Sequence, residues 1–476
     1  MEDITEADIW RASRCATASL HNGSTPAIPP LRAPSLTDPT ITQEFTTAED
    51  KCELLVDTFF PPRPAQVPSL PGDNGPFPTP LPFDPPSLDQ VRRCIHKLHP
   101  HKARGPDKIP NIVLRNAVEL IAPLLHRCLQ ATLSLKYFPA AWRSWSTIVL
   151  QKPGRPDYTT AKAYCPIALY NTMGKVISAA ITDVLVYLTV RHSLLPSKCF
   201  GGLPGRTTTD SLLYLVHNVK NAWRRKKVVT IIFLDIASAF PNAMTNRLLL
   251  NMKRLGYPTK IMDFFHAMLR DRHTTLTFDG YTSAPIPIDN GIGQGEPSSM
   301  ILYLIYSHAL AAIPSTLGGD GGAYVDDTFF WAACDTFEEC DAKLNAMLDK
   351  QEEWSPAHNS KAETSKFKCL RLTTRANVVH KDFSRANSNL IIKCDSSAKL
   401  LGVVVDQQLR WHQHVQYASQ KGAQLLFVIN RLTRPSFGLP APYVRHLFTA
   451  VVVPKVEYAL PVWYTPLHSS PESPTT

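Results

Sequence analysis

Two acidic positions at the ends of apolar segments constrain the fold of this chain more than any other feature. Val228–Leu234 is a run of apolar and β-branched residues, typical of a strand buried on both faces, and Asp235 follows it directly. Asp326 and Asp327 lie between two further apolar segments, a pattern that predicts a β-hairpin with both acids at its tip. A carboxylate at the end of a buried strand is costly unless a cation or basic partner meets it. The pattern therefore predicts strands that present acids to a cation.

Carboxylates in this arrangement suit phosphoryl transfer with metal ions. Two divalent ions about 3.5–4 Å apart can clamp the attacking and leaving oxygens of such a reaction, and Mg²⁺ prefers carboxylate oxygens together with substrate phosphates. A structural interpretation stays open at this point, because an isolated Asp-Asp pair is most often a turn and a lone aspartate at a strand end is often a helix N-cap. The surrounding motifs have to decide between the two interpretations.

The rest of the pattern predicts an α+β fold whose helices and strands alternate irregularly. Ser87 and Gln90 form a capping-box signal, so we expect the folded enzyme to begin near Ser87. Asp279 and Gly280 between two apolar segments predict a hairpin. Further helices are predicted at 111–134, 209–223, 299–312 (with Pro314 just beyond its end), 413–432 and 441–453, and further strands at 146–150, 274–278, 284–288, 323–325, 328–332 and 400–405.

Charge is distributed unevenly along the chain. Residues 1–90 contain 13 acids and 5 bases, whereas the remainder contains 27 acids and 45 bases, so a net charge of −8 precedes one of +18. A unit as basic as the second part usually binds a polyanion, most often nucleic acid. Residues 61–86 hold 11 of the 41 prolines, which favours an extended tether over a packed element.

Other classes of protein are disfavoured by what the sequence lacks. No apolar run approaches the roughly 18–20 residues of a membrane helix, and the first 20 residues carry four acids, so we expect an intracellular protein with no membrane partner. The ten cysteines are scattered, with no Cys-x-x-Cys pair and no cysteine cluster beside a histidine pair. A zinc knuckle or a disulfide framework is therefore not expected.

Seven short blocks, in order and with compatible spacing, carry a family resemblance. They are residues 102–107 (KARGPD), 151–154 (QKPG), 200–206 (FGGLPGR), Leu234-Asp235 with Ala239-Phe240, 291–295 (GIGQG), 324–327 (YVDD) and 399–402 (KLLG). Each block alone is weak, but seven collinear blocks are highly specific. From about Ser87 to Trp463 the chain resembles the reverse transcriptases of LINE-type non-LTR retrotransposons, the fungal kind in particular.

The resemblance implies an α+β right-hand polymerase with fingers, a ferredoxin-like antiparallel palm and a helical thumb. Residues 1–86 are then a Pro-rich acidic N-terminal extension, partly disordered. Residues 87–227 form the fingers with some of the palm, and residues 228–410 form the palm with the aspartate triad and a hairpin like the family's primer grip. Residues 411–476 form a truncated helical thumb.

The resemblance also assigns catalytic roles. Asp235 and Asp326 would ligate two Mg²⁺ ions, with Asp327 beside them and binding less directly. Lys366 resembles the lysine that protonates the leaving pyrophosphate, although Lys361 and Lys368 compete with it for the alignment.

Nucleotide and template contacts follow from the same blocks. Phe240 matches the residue that stacks under the incoming sugar and excludes a 2′-hydroxyl, although it could equally be a core aromatic. Gln294, with Gly295 after it, matches the glutamine that contacts the nucleotide and template. Lys152 matches the fingers lysine that meets the triphosphate, with a solvated surface lysine as the alternative. Arg206 lies where the family's fingers track the template.

Three positions depart from the family pattern. Cys165 replaces an arginine that binds the triphosphate, and a thiol cannot supply that planar cation. Losing one charged contact to a phosphate costs on the order of 1.5–3 kcal/mol, or roughly 10–100-fold in rate. Lys175 is retained, but Ser178 stands where the family usually has glutamate, a milder loss that affects the fingers. Ser298 replaces an apolar residue.

These observations predict an RNA-directed DNA polymerase that uses an RNA template, a DNA primer and dNTPs. The alternative is a catalytically weakened retroelement remnant that binds RNA or an RNA–DNA hybrid without turnover, which Cys165 motivates. An RNA-dependent RNA polymerase is disfavoured, because it would have a small residue in place of Phe240 and glycine in place of Val325. Neither an endonuclease nor an RNase H fits the flanking segments, so a separate chain would supply them, and the life cycle of such elements implies the nucleus.

Overall fold

The computed structural model describes residues 27–34, 42–70, 73–375, 378–433 and 438–464. Parts of the predicted extension (1–26, 35–41, 71–72) and the end of the predicted thumb (465–476) lie outside the described residues.

Strands and helices alternate irregularly, as an α+β fold requires. The strands are β1 (Leu31–Pro34), β2 (Thr42–Phe45), β3 (Ser144–Gln151), β4 (Tyr164–Tyr170), β5 (Cys199–Phe200), β6 (Val228–Leu234), β7 (Arg272–Phe278), β8 (Tyr281–Thr282), β9 (Ile286–Ile288), β10 (Asp320–Tyr324), β11 (Asp327–Cys334), β12 (Lys368–Leu372), β13 (Phe383–Ser384), β14 (Ile391–Ile392), β15 (Ser397–Leu400) and β16 (Val403–Asp406). The α-helices are α1 (Ala48–Phe59), α2 (Leu88–His96), α3 (Asn111–Asn116), α4 (Val118–Leu135), α5 (Thr172–Arg191), α6 (Thr208–Arg224), α7 (Ala239–Asn242), α8 (Thr245–Arg254), α9 (Thr259–Leu269), α10 (Ser299–Thr316), α11 (Phe337–Ala357), α12 (His412–Asn430), α13 (Ala441–Leu447), α14 (Val453–Val456) and α15 (Leu460–Trp463).

The central sheet has five strands in the order β12-β6-β11-β10-β5, antiparallel except for the short β10–β5 pair. Strand β6, which lies between β12 and β11, is buried on both faces. Val228 and Ile232 enter the core that contains helices α10 and α11, whereas Val229 and Ile231 enter the core that contains α6 and the β15–β16 hairpin. This double burial explains the unbroken apolar run, because neither side of β6 meets water.

A second sheet has the order β4-β3-β7-β8, with β9 also paired to β7, and only β3 and β4 belong to the region predicted as fingers. Strands β7 to β9 come from within residues 228–410, so the two sheets interleave along the chain. Asp279 and Gly280 form the predicted hairpin turn, and both have positive φ (49° and 80°), as a type I′ turn requires. The fingers, palm and thumb boundaries themselves stay predictions.

Packing begins before Ser87, contrary to the prediction. Leu55 and Phe59 of α1 are buried in a cluster with Tyr164 of β4 and Leu276 of β7. Proline fixes the backbone in an extended form but does not prevent packing, so composition alone misplaced the start of the folded part. The capping box at Ser87 is nevertheless confirmed, because its side chain and that of Gln90 exchange hydrogen bonds with each other's backbone.

Three helix predictions need correction. The helix predicted at 111–134 is divided at Ala117 into α3 and α4. Pro314 lies inside the last turn of α10, where the helix continues to Thr316. The helix predicted at 441–453 contains a π-helical segment, Phe448–Val452, between α13 and α14. Each difference is a local irregularity that apolar periodicity does not encode.

Two helices in the described part of the chain, α5 and α10, are long and apolar enough to cross a membrane by length and composition. The expectation that no segment reaches this length was therefore wrong. In the most apolar 18-residue stretches of α5 and α10, 56% and 67% of the residues are buried inside the protein. The core helix of a soluble protein can be equally long and apolar.

Candidate active site

The central sheet brings the three predicted aspartates together. Leu234 pairs with Thr328 across β6 and β11, so Asp235 and Asp327 are the next residues outward at the same end of adjacent strands. Asp326 lies in the two-residue turn of the β10–β11 hairpin, beside Val325, whose φ is +60°. A β-branched residue in this conformation is strained, and such strain clusters at functional sites. The predicted triad therefore occupies one edge of the sheet.

The carboxylates at this edge disfavour one another's charge. Burial, followed by the charges of Asp326 and Asp235, raises the pKa of Asp327 to about 6. Burial raises the pKa of Asp326 too, and the charge of Asp235 adds to that shift although the backbone N–H of Asp326 opposes it. Within the described residues no other group donates a hydrogen bond to the side-chain carboxylate of Asp326 or Asp327. A nearby cation would stabilise the charged form of these carboxylates.

Lys366 supplies a cation to this edge. It ends a 3₁₀ turn, Thr364–Lys366, and its ammonium lies 2.8 Å from Asp235 Oδ2 while also donating to Glu363. The backbone N–H of Glu363 in turn donates to the carbonyl of Asp235 at 2.9 Å. Burial of Lys366 acts to lower its pKa, but the hydrogen bonds to Asp235 and Glu363 outweigh it and raise the pKa overall.

The donor chemistry fits divalent ions, although the side chains are not arranged as a closed metal cage. In the part of the chain that the structure describes, no three Asp, Glu, His or Cys side chains are grouped closely enough to hold a metal ion. Asp235 is 41% exposed, and its Oδ2 contacts Lys366, so a metal ion at that oxygen would have to replace the lysine. Mg²⁺ is often bound through only one or two carboxylates, with its other positions left to water and substrate phosphates.

The turn around Gln294 packs flat against β4. The carbonyl of Gln294 accepts from Ala168 N at 3.1 Å, and its side-chain Oε1 lies 3.6 Å from Cys165 Sγ. A Cβ on Gly295 (φ +110°) would lie 2.7 Å from the Ala168 carbonyl oxygen, and one on Gly293 would overlap the Tyr170 hydroxyl. Both glycines are therefore required by close approach to β4. Cys165, the departure from the family pattern, directly adjoins Gln294.

Phe240 lies in α7, directly after the β6 strand end, and is half-buried. Its ring stacks on Tyr303 of α10, with centroids 4.7 Å apart and planes at 26°, and its carbonyl accepts from Ile292 N at 2.8 Å. The core-aromatic interpretation and the nucleotide-contact interpretation are both compatible with this position, because one face packs inward and part of the ring stays accessible.

The two predicted basic contacts differ in their surroundings. Lys152 follows β3, and its ammonium donates to the carbonyl of Lys162 at 3.0 Å. Burial lowers its pKa, and the charges of Arg155 and Lys366 act in the same direction, whereas Cys165 opposes the shift. Arg206 instead donates to the carbonyls of Ser197 and Cys199, at 2.7 and 2.6 Å, so its described contacts are with its own loop and β5.

Two residues at the site were missed from the sequence. Glu363 bonds Lys366 and also approaches Lys162, whose ammonium lies 3.7 Å from its Oε1. Glu296 accepts hydrogen bonds beside Gln294. The signal for Glu363 was present, because an acid three residues before a lysine in a helical turn forms an i,i+3 pair. Glu296 gave no comparable signal, since its partner on α5 is 118 residues away.

Comparisons with known proteins agree with this geometry. Residues 150–417, more than half of the chain, match the family model for reverse transcriptase (RNA-dependent DNA polymerase). Relatives include the RNA-directed DNA polymerase from mobile element jockey of Drosophila melanogaster (25% identical over 82% of this chain and 43% of that protein) and the probable RNA-directed DNA polymerase from transposon BS of the same species (23% identical over 80% and 42%).

The chain thus spans about two fifths of the length of these relatives. The structure also aligns with apo telomerase from Candida tropicalis truncated from its C-terminal domain, at a TM-score of 0.40 and 11% identity over 64% of this chain and 62% of that chain. The matched family segment contains every predicted catalytic and nucleotide-contact residue. The chain belongs to the reverse transcriptase family, of the LINE type, and its α+β fold is that of a right-hand polymerase.

Proposed function

We propose that this chain is an RNA-directed DNA polymerase that extends a DNA primer on an RNA template with dNTPs. The observation that carries the proposal is the register of the central sheet, which brings Asp235 to the same edge as Asp326 and Asp327 inside the matched family segment. The positive charge of the chain beyond residue 90 supports a nucleic-acid substrate.

Members of this family generally use divalent metal ions, and we propose that two Mg²⁺ ions bind at this edge. Asp235 and Asp326 would hold them, with Asp327 beside them. The ions would activate the primer 3′-hydroxyl and stabilise charge on the phosphates. Lys366 would exchange its contact with Asp235 for one with the leaving pyrophosphate, to which its ammonium would donate a proton.

The remaining predicted residues would bind the nucleotide. Lys152 is proposed to meet the triphosphate, Gln294 the base and template, and Phe240 the sugar, where its bulk would exclude a 2′-hydroxyl. Arg206 is proposed to contact the template after exchanging its present backbone acceptors. A chain with these partners would work in the nucleus, with a separate endonuclease or RNase H, and both of these proposals rest on the resemblance alone.

Cys165 supports a second candidate function. Its thiol lies beside Gln294, where the family places a phosphate-binding arginine. A protein that retains the fold but lacks this cation could bind RNA or an RNA–DNA hybrid without turnover.

Primer extension on a defined RNA template separates the two functions. The assay contains dNTPs and Mg²⁺ and compares the wild type with Asp326→Ala/Asp327→Ala. The matched control is Asp335→Ala/Glu338→Ala, which removes two exposed acids beyond the other end of β11. DNA product that disappears only in the first variant supports the polymerase. Well-folded protein that binds the hybrid without product supports the remnant, and product that persists in both variants refutes the assigned triad.

A further inference from the structure

The carboxylate of Glu296 is an anchor inside the protein. Glu296 lies in the turn that carries Gln294, between β9 and α10. Its Oε1 accepts a hydrogen bond from the hydroxyl of Ser178 on α5, and its Oε2 accepts from the backbone N–H of Ser298 at 2.7 Å and from the Ser298 hydroxyl. Ser178 and Ser298 are 1% and 0% exposed. The turn and α5 are thus joined through a single carboxylate.

Both serines are departures from the family pattern. Ser178 stands where the family usually has glutamate, and Ser298 stands where it has an apolar residue. Considered alone, each serine appears only to remove an interaction that the family's residue would make. In the structure, however, both hydroxyls donate to the same carboxylate, so the two departures and Glu296 form one arrangement. A carboxylate remains next to α5, but residue 296 supplies it instead of residue 178.

Electrostatics allow only one carboxylate at this place. Burial raises the pKa of Glu296, and the hydrogen bonds from Ser178 and Ser298 together with the charge of Lys175 oppose that shift. Lys175 is one turn before Ser178 on α5 and supplies the nearby cation. A second carboxylate at 178 would take the place of a donor that now bonds Glu296, so two like charges would meet there.

The anchor bears directly on Gln294. The turn is fixed to β4 on one side, through the bond between Ala168 N and the Gln294 carbonyl. On the other side, Ser299 donates to the carbonyl of Gly293, and Glu296 bonds α5. Gln294 lies between these attachments. Movement of residue 296 would therefore move the side chain that is proposed to contact the nucleotide.

We propose that Glu296 is a positioning residue that supplies from the turn the carboxylate which the family places at 178, and that it holds Gln294 in place for the incoming nucleotide. The second half of this statement rests on the proposed function, whereas the first half does not. The arrangement predicts a reciprocal exchange: glutamate at 178 is compatible with serine at 296 but not with glutamate there.

A double-mutant cycle tests the exchange by thermal unfolding of the full chain. The four proteins are the wild type, Ser178→Glu, Glu296→Ser and Ser178→Glu/Glu296→Ser. We expect Ser178→Glu to lower the Tm by about 3 °C or more in the wild-type background and by much less in the Glu296→Ser background. Thr182→Glu, one turn further along α5, is the matched control and should change the Tm equally in both backgrounds.

Equilibrium binding of dTTP tests the effect on Gln294 independently of turnover. The protein is bound to an RNA template with a dideoxy-terminated DNA primer, so that no bond can form. We expect Glu296→Ser to weaken dTTP binding on the order of 10-fold and the double exchange to restore most of it. A change in Kd that follows the exchange, at matched fractions of folded protein, is a result that loss of stability alone would not produce.

Three outcomes would overturn the proposal. Additive Tm changes across the cycle would show that residues 178 and 296 do not share one carboxylate position. A Ser178→Glu variant as stable as the wild type would show the same. Coupled Tm changes with unchanged dTTP binding would refute the positioning role. If the chain never extends a primer, the thermal cycle still decides the exchange, so failure of the proposed function remains distinguishable.

Discussion

The aspartates at the strand ends and the carboxylate of Glu296 contrast in how the protein treats an acid whose charge is disfavoured. In both places burial raises the pKa. Glu296 receives three hydrogen bonds from Ser178 and Ser298, whereas in the described part of the chain no other residue donates to the side chains of Asp326 and Asp327, which lie at the surface. The two aspartates are therefore open to a group from outside the protein, and the satisfied carboxylate of Glu296 indicates structure.

The contrast predicts that mutation of an aspartate at the strand ends lowers activity without lowering stability. Asp326→Asn should reduce primer extension by roughly 10³-fold or more, because several kcal/mol of charge stabilisation depends on the metal-binding carboxylates. Its Tm in metal-free buffer at pH 7.5 should not fall, because a carboxylate whose charge is disfavoured has been replaced by a neutral amide. Calorimetry and primer extension on the same preparation measure both quantities.

The control for that prediction is Asp335→Asn, an exposed acid just beyond β11. It should change neither quantity appreciably. If Asp326→Asn instead destabilised the metal-free protein strongly, the acids would be structural, and the contrast with Glu296 would disappear.

Adding the missing cation beside Gln294 should have the next largest effect. Cys165→Arg restores the family's residue in β4 next to the Gln294 side chain. We expect kcat/KM for dNTPs to rise by roughly 10–100-fold, since a charged contact to phosphate is worth about 1.5–3 kcal/mol. Cys128→Arg, at an exposed cysteine of α4, adds the same charge away from the site. Equal gains in both variants would attribute the effect to net charge and RNA affinity.

The sequence predicted the strand ends that carry the aspartates and the helix start at Ser87 well, because the signals there are local. The apolar run before Asp235, the hairpin around Asp326 and the capping box at Ser87 each lie within a few residues. Contacts between distant segments were different. A role for Lys366 was expected only through the family resemblance, and neither its pairing with Asp235 nor the bond from Ser178 to Glu296 was predicted. Seen in the sequence alone, Ser178 appears only to remove a carboxylate. The compensating carboxylate of Glu296 becomes apparent only in the folded structure, where the two segments meet.

A buried histidine extends the comparison to a group that the interior keeps neutral. His358 follows α11, is 1% exposed and stacks on Trp354 with ring centroids 4.3 Å apart. Burial lowers its pKa from 6.5 to about 3, although a hydrogen bond with the Trp354 carbonyl opposes the shift. The unfolded chain therefore binds more protons than the folded one between these values, so stability is present near neutral pH and is lost as the pH falls below about 6.5.

The corresponding prediction is that His358 accounts for about 2 kcal/mol of the unfolding free energy that the protein loses between pH 7.5 and 5. Urea unfolding at the two pH values measures this difference, and His358→Gln should remove most of it. His412→Gln, at an exposed histidine, should retain the wild-type pH dependence. A pH dependence that is identical in all three proteins would show that His358 is not kept neutral by the fold.

The smallest effect is expected at Glu363. Like Glu296 it has a hydrogen-bond partner, but like the aspartates it lies at the catalytic edge. Lys366 is shared between Glu363 and Asp235. In Glu363→Gln the ammonium would bond Asp235 alone and compete more strongly with a metal ion there. We expect the Mg²⁺ concentration for half-maximal extension to rise by no more than about fivefold, because partly exposed ion pairs contribute about 1 kcal/mol or less.

Glu353→Gln is the matched control, since it breaks an exposed i,i+3 pair with Lys350 on α11. An unchanged Mg²⁺ requirement in Glu363→Gln would mean that Glu363 has no influence on how Lys366 competes with a metal ion at Asp235. Asp235 would then behave like Asp326 and Asp327, as an acid that is available to a metal ion whatever its neighbours are.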